Sequence, residues 1–266
     1  MQTASLTRIY GLFLRQLYLI RRSGVRVITY TFWPTIMVLI WGFMNKYLYG
    51  QMKVVQFTFA TLLGATLLNT FFERTNVNVM FSFLEDVWAR NIGNILITPI
   101  RPVELIVGYI LNGIISVLVG VAVACLCSYA IFGFSFYDIG WPALAYILVL
   151  TVFGWCVGLS LISVILRFGP SGESFGWMIA FSFTPLVAIY YPVTVLPTWL
   201  QHVSWALPPT YAFESLRELT QTGYFDTAFF ERAMLLNALY LCFSLTAFYV
   251  QLKKARQRGG LFSMSE

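Results

Sequence analysis

Apolar and polar positions alternate along this chain in long blocks. Residues 27–45, 54–72, 105–132, 141–166, 175–190 and 233–251 are apolar enough to be read as six membrane-crossing helices. The first carries no charge between Arg26 and Lys46. At about 1.5 Å per residue it is roughly 28 Å long, close to the hydrocarbon thickness of a bilayer. Ahead of it, in residues 5–23, Arg8, Arg15 and Arg22 recur every seven residues, with Leu6, Ile9, Phe13, Leu17 and Ile20 gathered opposite. This pattern predicts an amphipathic helix on the cytoplasmic membrane surface, its arginines turned to anionic headgroups or to a partner. No small-residue cleavage site follows the run, so it is not read as a removable signal. Between 191 and 207 the apolar pattern is broken by Pro192 and Pro197 and closed by Pro208 and Pro209. That stretch is too short for two full crossings, and a hairpin re-entering from the outside is expected, followed by an outer helix over about 210–220.

The chain is therefore read as an all-α integral membrane protein. It has an interfacial helix (1–26), a six-span body (27–251) and a basic tail (252–266). The body holds a cytoplasmic elbow at 73–104 and an outer re-entrant segment at 191–222. Composition agrees: 59% of the residues are hydrophobic and 11% charged, against about 25% charged in a typical soluble domain. The formal net charge of +6 sets orientation and does not point to nucleic acid. With the N-terminus inside, only Lys46, Lys53, Arg217 and Arg232 of the 17 basic residues fall outside, while the 11 acidic residues divide almost evenly. Both termini are expected in the cytoplasm. Cys125, Cys127, Cys156 and Cys242 all lie in apolar stretches and predict no disulfide framework.

The elbow holds the most ordered set of polar residues. Asn78–Arg90 can form a helix with Met80, Leu84 and Trp88 on one apolar line and Glu85, Asp86 and Arg90 presenting charge. Gly93 permits a turn, and Thr98-Pro99 with Arg101-Pro102 ends regular structure before the third span. The series Arg90-x-x-Gly93-x-Ile95-Leu96-x-Thr98-Pro99-Ile100, followed by Glu104-Leu105, resembles the connector of ABC-2 type exporter permeases. Leu207-Pro208-Pro209-Thr210-Tyr211 through Arg217 is similar to that family's segment before the last span. The resemblance implies a permease that pairs with a second copy or a paralogue, and with two separate ATP-binding subunits that bind ATP and Mg. It also implies export through a bacterial inner membrane. The elbow would then be a coupling helix, with Glu85 and Arg90 contacting the motor and Gly93 supplying the turn. ATP-driven closure would push on Met80 to Pro99 and on Arg8 to Arg22.

Other chemistries are weaker. No Gly-x-x-x-x-Gly-Lys-Ser/Thr loop is present, so the chain has no phosphate-cradling ATPase site of its own. Gly172-Glu173-Ser174-Phe175-Gly176 and Gly169-Pro170-Ser171-Gly172 resemble intramembrane serine-protease motifs. The only histidine, His202, lies on the opposite side of the membrane from both serines, beyond reach of a nucleophile. One histidine and membrane-embedded cysteines offer no metal set. Glu73 and Arg74 are read as ending the second span and snorkelling to the interface, and Glu214, Arg217 and Glu218 as a solvated helix face. No span so drawn has a central ionisable residue, which argues against an ATP-independent channel or secondary transporter. Path-lining candidates are Phe57, Thr61, Thr66, Asn69 and Thr70. That wall suits an amphipathic or lipid-linked cargo, a polysaccharide or a drug.

Overall fold

The computed structural model describes residues 2–22, 24–52, 59–89, 91–92, 100–169 and 172–257. All regular structure among them is helical. In chain order the α-helices are α1 (Gln2–Arg22), α2 (Gly24–Met52), α3 (Phe59–Trp88), α4 (Pro102–Phe132), α5 (Pro142–Phe168), α6 (Gly172–Leu186), α7 (Thr198–Trp205), α8 (Pro208–Thr222) and α9 (Thr227–Gln257). Short 3₁₀ turns occupy Phe136–Ile139 and Val193–Val195.

Helix starts and stops follow local chemistry. Proline occupies the first helical position of α4, α5 and α8, where its missing N–H costs nothing. Gly133 after α4 and Gly223 after α8 take the left-handed conformation (φ 68° and 73°) and donate their N–H back to Tyr129 and Leu219.

The centre of the bundle is α3 packed on α5. Leu63, Leu67, Phe72, Val79 and Phe83 of α3 and Leu150, Phe153, Leu161 and Ile165 of α5 are fully buried. α9 covers the other side of α5, while α2 and α4 flank α3. α1 lies along α4, and α8 wedges between α5, α9 and α3. Two backbone approaches set this packing. Gly154 and Gly158, four apart on α5, face Thr75, Asn76 and Val79. A methyl group at Gly158 would stand 2.9 Å from the Asn76 carbonyl oxygen and 2.8 Å from Val79 Cβ, the close crossing that small residues allow between membrane helices. On the other flank, Pro34 leaves the Tyr30 carbonyl of α2 without its intrahelical donor. Gly120 of α4 accommodates that carbonyl, whose oxygen lies 2.6 Å from where a Cβ would be.

Gly158→Leu is expected to push α3 off α5 and destabilise the bundle by about 1–3 kcal/mol or more. Thermal unfolding in mild detergent measures this; an unchanged melting temperature would remove the crossing as a stability determinant.

Two expected boundaries shift. The second span was drawn to end at residue 72 with an elbow from 73; instead α3 continues unbroken to Trp88, 30 residues or about 45 Å. The fifth was drawn to 190; α6 stops at Leu186, after 15 residues. Among the described residues, four helices can cross a membrane by length and composition: Val27–Tyr47, Pro102–Phe132, Pro142–Phe168 and Thr227–Ala255. α3 falls short in hydropathy because Asn69, Glu73, Arg74, Asn76 and Asn78 lie along it, and α6 falls short in length. The apolar faces of α2, α6 and α9 stand open: Phe32, Ile40, Phe43, Met178, Leu239 and Phe243 are exposed. Such faces suit lipid or a partner subunit rather than water.

Candidate functional site

At the end of the bundle where α1 lies, charges join three helices. Arg8 Nη2 donates to Glu104 Oε1 at 2.8 Å. One helical stretch further on, Arg15 pairs with Asp86 of α3. Asp86 also accepts from Tyr109 Oη at 3.0 Å, and both are buried. Glu104 Oε2 takes the backbone N–H of Arg101 at 3.0 Å, closing the first turn of α4. Between the two ion pairs Leu12 lies on Gly108, its Cβ 3.3 Å from where a glycine Cβ would stand, so α1 sits flush on α4. Arg8 and Arg15, expected to turn to anionic headgroups or to a partner, are thus engaged with carboxylates of this chain. Arg22 falls in the last turn of α1.

The residues nominated for coupling separate. Met80 and Leu84 are fully buried beneath neighbouring helices, with Met80 Sδ against Gly176 of α6. Their side chains present no surface to another protein, because α3 is still inside the bundle there. Glu85 is half-buried, and Trp88, at the end of the same line, is 53% exposed. Arg90, Gly93 and Pro99 lie outside the described residues, as does Phe57.

Beside this end a cavity of about 460 Å³ runs along α3 from Glu73 to Trp88, about 22 Å at helical rise. Its walls are aromatic: Tyr30 and Trp33 from α2, Phe81 and Trp88 from α3, Trp177 and Phe181 from α6. Trp177 stacks on Phe181 (centroids 5.7 Å apart, 21° between planes) and meets Phe81 edge-on at 5.5 Å. Its polar side is made by Glu73, Arg74, Asn78 and Ser82 of α3 with Asn112 and Ser116 of α4. Asn112 Nδ2 donates to Ser82 Oγ at 2.7 Å. Asn112 Oδ1 and Asn78 Nδ2 have no partner among the described residues, although both residues are buried. A buried polar atom without a partner is costly unless something else meets it.

Glu73 and Arg74 occupy the midpoint of α3, and the Thr75–Gly154 and Asn76–Gly158 contacts set this region beside the middle of α5. They are not at a helix end, and snorkelling does not describe them. The expectation that no span has a central ionisable residue rested on ending the second span at 72; α3, which is not among the helices apolar enough to span, carries Glu73 and Arg74 at its midpoint. Glu73 accepts from Asn69 Nδ2 at 2.9 Å. The other residues nominated for a path lie further along α3, away from α1, and do not line the cavity. Thr61 pairs with Thr220 at 2.7 Å; Thr66 and Thr70 bond back to Leu62 and Thr66 carbonyls; all three and Asn69 are buried.

At the opposite end, Arg217 is buried, not solvated. Its Nη2 donates to the carbonyls of Ala188 and, at 2.8 Å, Ile189, just past the end of α6. Its Nη1 stands 2.9 Å from Glu214 Oε1, which also accepts the Val193 N–H at 2.7 Å. Burial pulls the Arg217 pKa down from its ordinary value, and the Glu214 carboxylate opposes this. Ala188 holds φ at 54°, strained for a residue with a Cβ. The turn after α6, just ahead of the stretch expected to re-enter, is thus tied by one guanidinium, with Val187, Ala188 and Ile189 fully buried.

Among the described residues serine-protease geometry is not formed. Ser174 sits in the first turn of α6, whereas His202 is on α7, beyond the other end of that helix, with its Nδ1 2.7 Å from the Thr198 carbonyl. Ser171 lies outside the described residues. Among the described residues no three His, Cys, Asp or Glu side chains could hold a metal, and the four cysteines are free.

No individual curated protein matches the chain. A sequence model of the family described as ABC-2 type transporter matches residues 12–220, well over half of the chain. That span takes in the Arg15–Asp86 pair, Glu104, the aromatic cavity and the Arg217 tie, and begins after Arg8. The chain belongs to the ABC-2 type transporter family, as the membrane subunit of an ABC transporter.

Proposed function

We propose that this chain is the permease half of an ATP-driven exporter that loads an amphipathic, lipid-linked, polysaccharide or drug-like cargo from the cytoplasm or inner leaflet. The observation that carries the reading is the cavity: it runs from the α1 end of the bundle to mid-depth and stops there. Positive residues concentrate at that same end, which supports a cytoplasmic location for it and for both termini. In this reading α3 and α6 complete a six-span body with the four apolar helices, and the segment after Leu186 folds back from the outer side. The host membrane is a bacterial inner membrane. A second permease copy or paralogue covers the open face of α2 and α6, and two ATP-binding subunits dock below, near Glu85, Trp88 and the connector to α4.

The chain carries no ATPase motif, so a partner supplies the hydrolysis. Because α1 is ionically fixed to α3 and α4, a push at the connector moves all three helices together and alters the cavity between α3 and α2. Affinity purification of the tagged chain in mild detergent, with mass spectrometry, tests this. An ATP-binding subunit in stoichiometric amount is expected, and it should be lost when Glu85→Lys and Arg90→Glu are combined. A chain that comes down alone, even when candidate subunits are co-expressed, refutes the proposal.

A further inference from the structure

Arg74 is a cation at the middle of α3 whose donors nothing among the described residues uses. It has no hydrogen bond or ion pair among the described residues, and its nearest opposite charge in sequence is Glu73. Adjacent side chains on a helix diverge by about 100°, and Glu73 is held by Asn69, one turn away from the cavity's α1 end. The other carboxylate on the cavity wall, Glu85, is eleven residues further, about 16 Å along the axis. A guanidinium kept inside a membrane bundle marks a binding path by default, because its desolvation is offset only when something pairs with it. Beside it, Asn78 Nδ2 is a buried donor and Asn112 Oδ1 a buried acceptor, both unpartnered on the same wall. Opposite stand the aromatic faces of Trp33, Trp177 and Phe181.

From this arrangement we infer that the cavity selects amphiphiles bearing an anionic group, phosphate or carboxylate, which Arg74 binds. The apolar body of the ligand then lies between Trp33 and the Trp177–Phe181 pair. Guanidinium suits this role because its planar fork meets two oxygens of one anion at once. The Asn78 donor and the Asn112 acceptor engage neighbouring polar groups of the ligand, so that the buried amides are satisfied when the site is filled. The inference rests on the permease reading and deepens it, specifying which face of the cargo the protein recognises.

Equilibrium binding to the assembled transporter in lipid nanodiscs tests it, with labelled dodecyl phosphate, dodecanoate and dodecyltrimethylammonium as probes and empty nanodiscs as the partition baseline. An anionic probe should saturate and bind about tenfold or more tightly than the cationic one. Whichever of phosphate and carboxylate binds tighter names the group. Arg74→Gln should weaken the anionic probe about tenfold, and Asn78→Leu about threefold. Glu73→Gln should leave it unweakened. A cationic probe that binds tightest, or anion binding that survives Arg74→Gln, overturns the inference. If Arg74→Gln does not assemble, the order of the three probes on wild type and on Arg74→Lys decides, and loss of anion preference in wild type overturns it. A complex that recruits its ATP-binding subunit but binds no probe defeats this inference alone. A chain that recruits no such subunit defeats the permease reading beneath it.

Discussion

Arg217→Ala is expected to destabilise the protein by about 3–5 kcal/mol, the range seen when one partner of a buried ion pair is removed. The side chain is 6% exposed, donates to the carbonyls of Ala188 and Ile189, and forms an ion pair with the Glu214 carboxylate. Without it, two buried carbonyls after α6 lose their donor, and Glu214 keeps only the Val193 N–H. Ala188 at φ 54° is held by these surroundings, and a strained residue persists only while its surroundings over-determine it. Arg217→Lys should recover part of the loss, since one ammonium carries the charge but cannot span all three groups. Unfolding of the purified chain in detergent gives the energies. Amide exchange over 187–196 locates the effect, and it should rise more than exchange in α3 or α5. A loss below about 1 kcal/mol would show that the backbone holds this turn without the guanidinium.

The fold class was legible because apolar length alone separates membrane helices from other structure; α4, α5 and α9 fall where hydropathy puts them. α3 was misdivided for a physical reason. Its amides and its Glu73–Arg74 pair resemble the polar end of a span when water is the assumed neighbour. In the bundle they face α4, α5 and a cavity, so the helix continues four turns further. The same error moved the candidate path outward, to residues whose hydroxyls are satisfied inside the chain. Arg217 was misread because a Glu-x-x-Arg pair looks identical on a solvated and a buried helix face; its two proline neighbours at 208 and 209 were the available sign of a docked segment. The Gly154/Gly158 spacing on α5 was a readable signal of close helix approach. What sequence could not supply is which acid each arginine of α1 meets. Glu104 and Asp86 are 18 positions apart and come together only through the parallel packing of α1 on α4 and the crossing of α3.

Those two ion pairs should not matter equally. Arg15→Ala is expected to cost about 3 kcal/mol or more, because Asp86 is 5% exposed and is left with the Tyr109 hydroxyl alone. Arg8→Ala should cost less, about 1–2 kcal/mol: Glu104 is as buried as Asp86, but it stands in the first turn of α4, where the helix N-terminus favours an anion, and it keeps the Arg101 N–H. Asp86→Asn separates charge from packing: it keeps an acceptor for Tyr109 and removes the attraction for Arg15, so α1 should loosen while α3 and α4 stay docked. Amide exchange in α1 against that in α4 measures the split. Raised exchange confined to α1 for Arg15→Ala and Asp86→Asn, with a smaller rise for Arg8→Ala, is the expected pattern. In the assembled transporter the same variants should retain the ATP-binding subunit but lose stimulation of hydrolysis by cargo, because the push on the connector would no longer travel through α1. Equal effects of Arg8→Ala and Arg15→Ala would mean that α1 is held by its apolar face on Gly108 and not by the buried carboxylate. Coupling would then have to run through α3 alone.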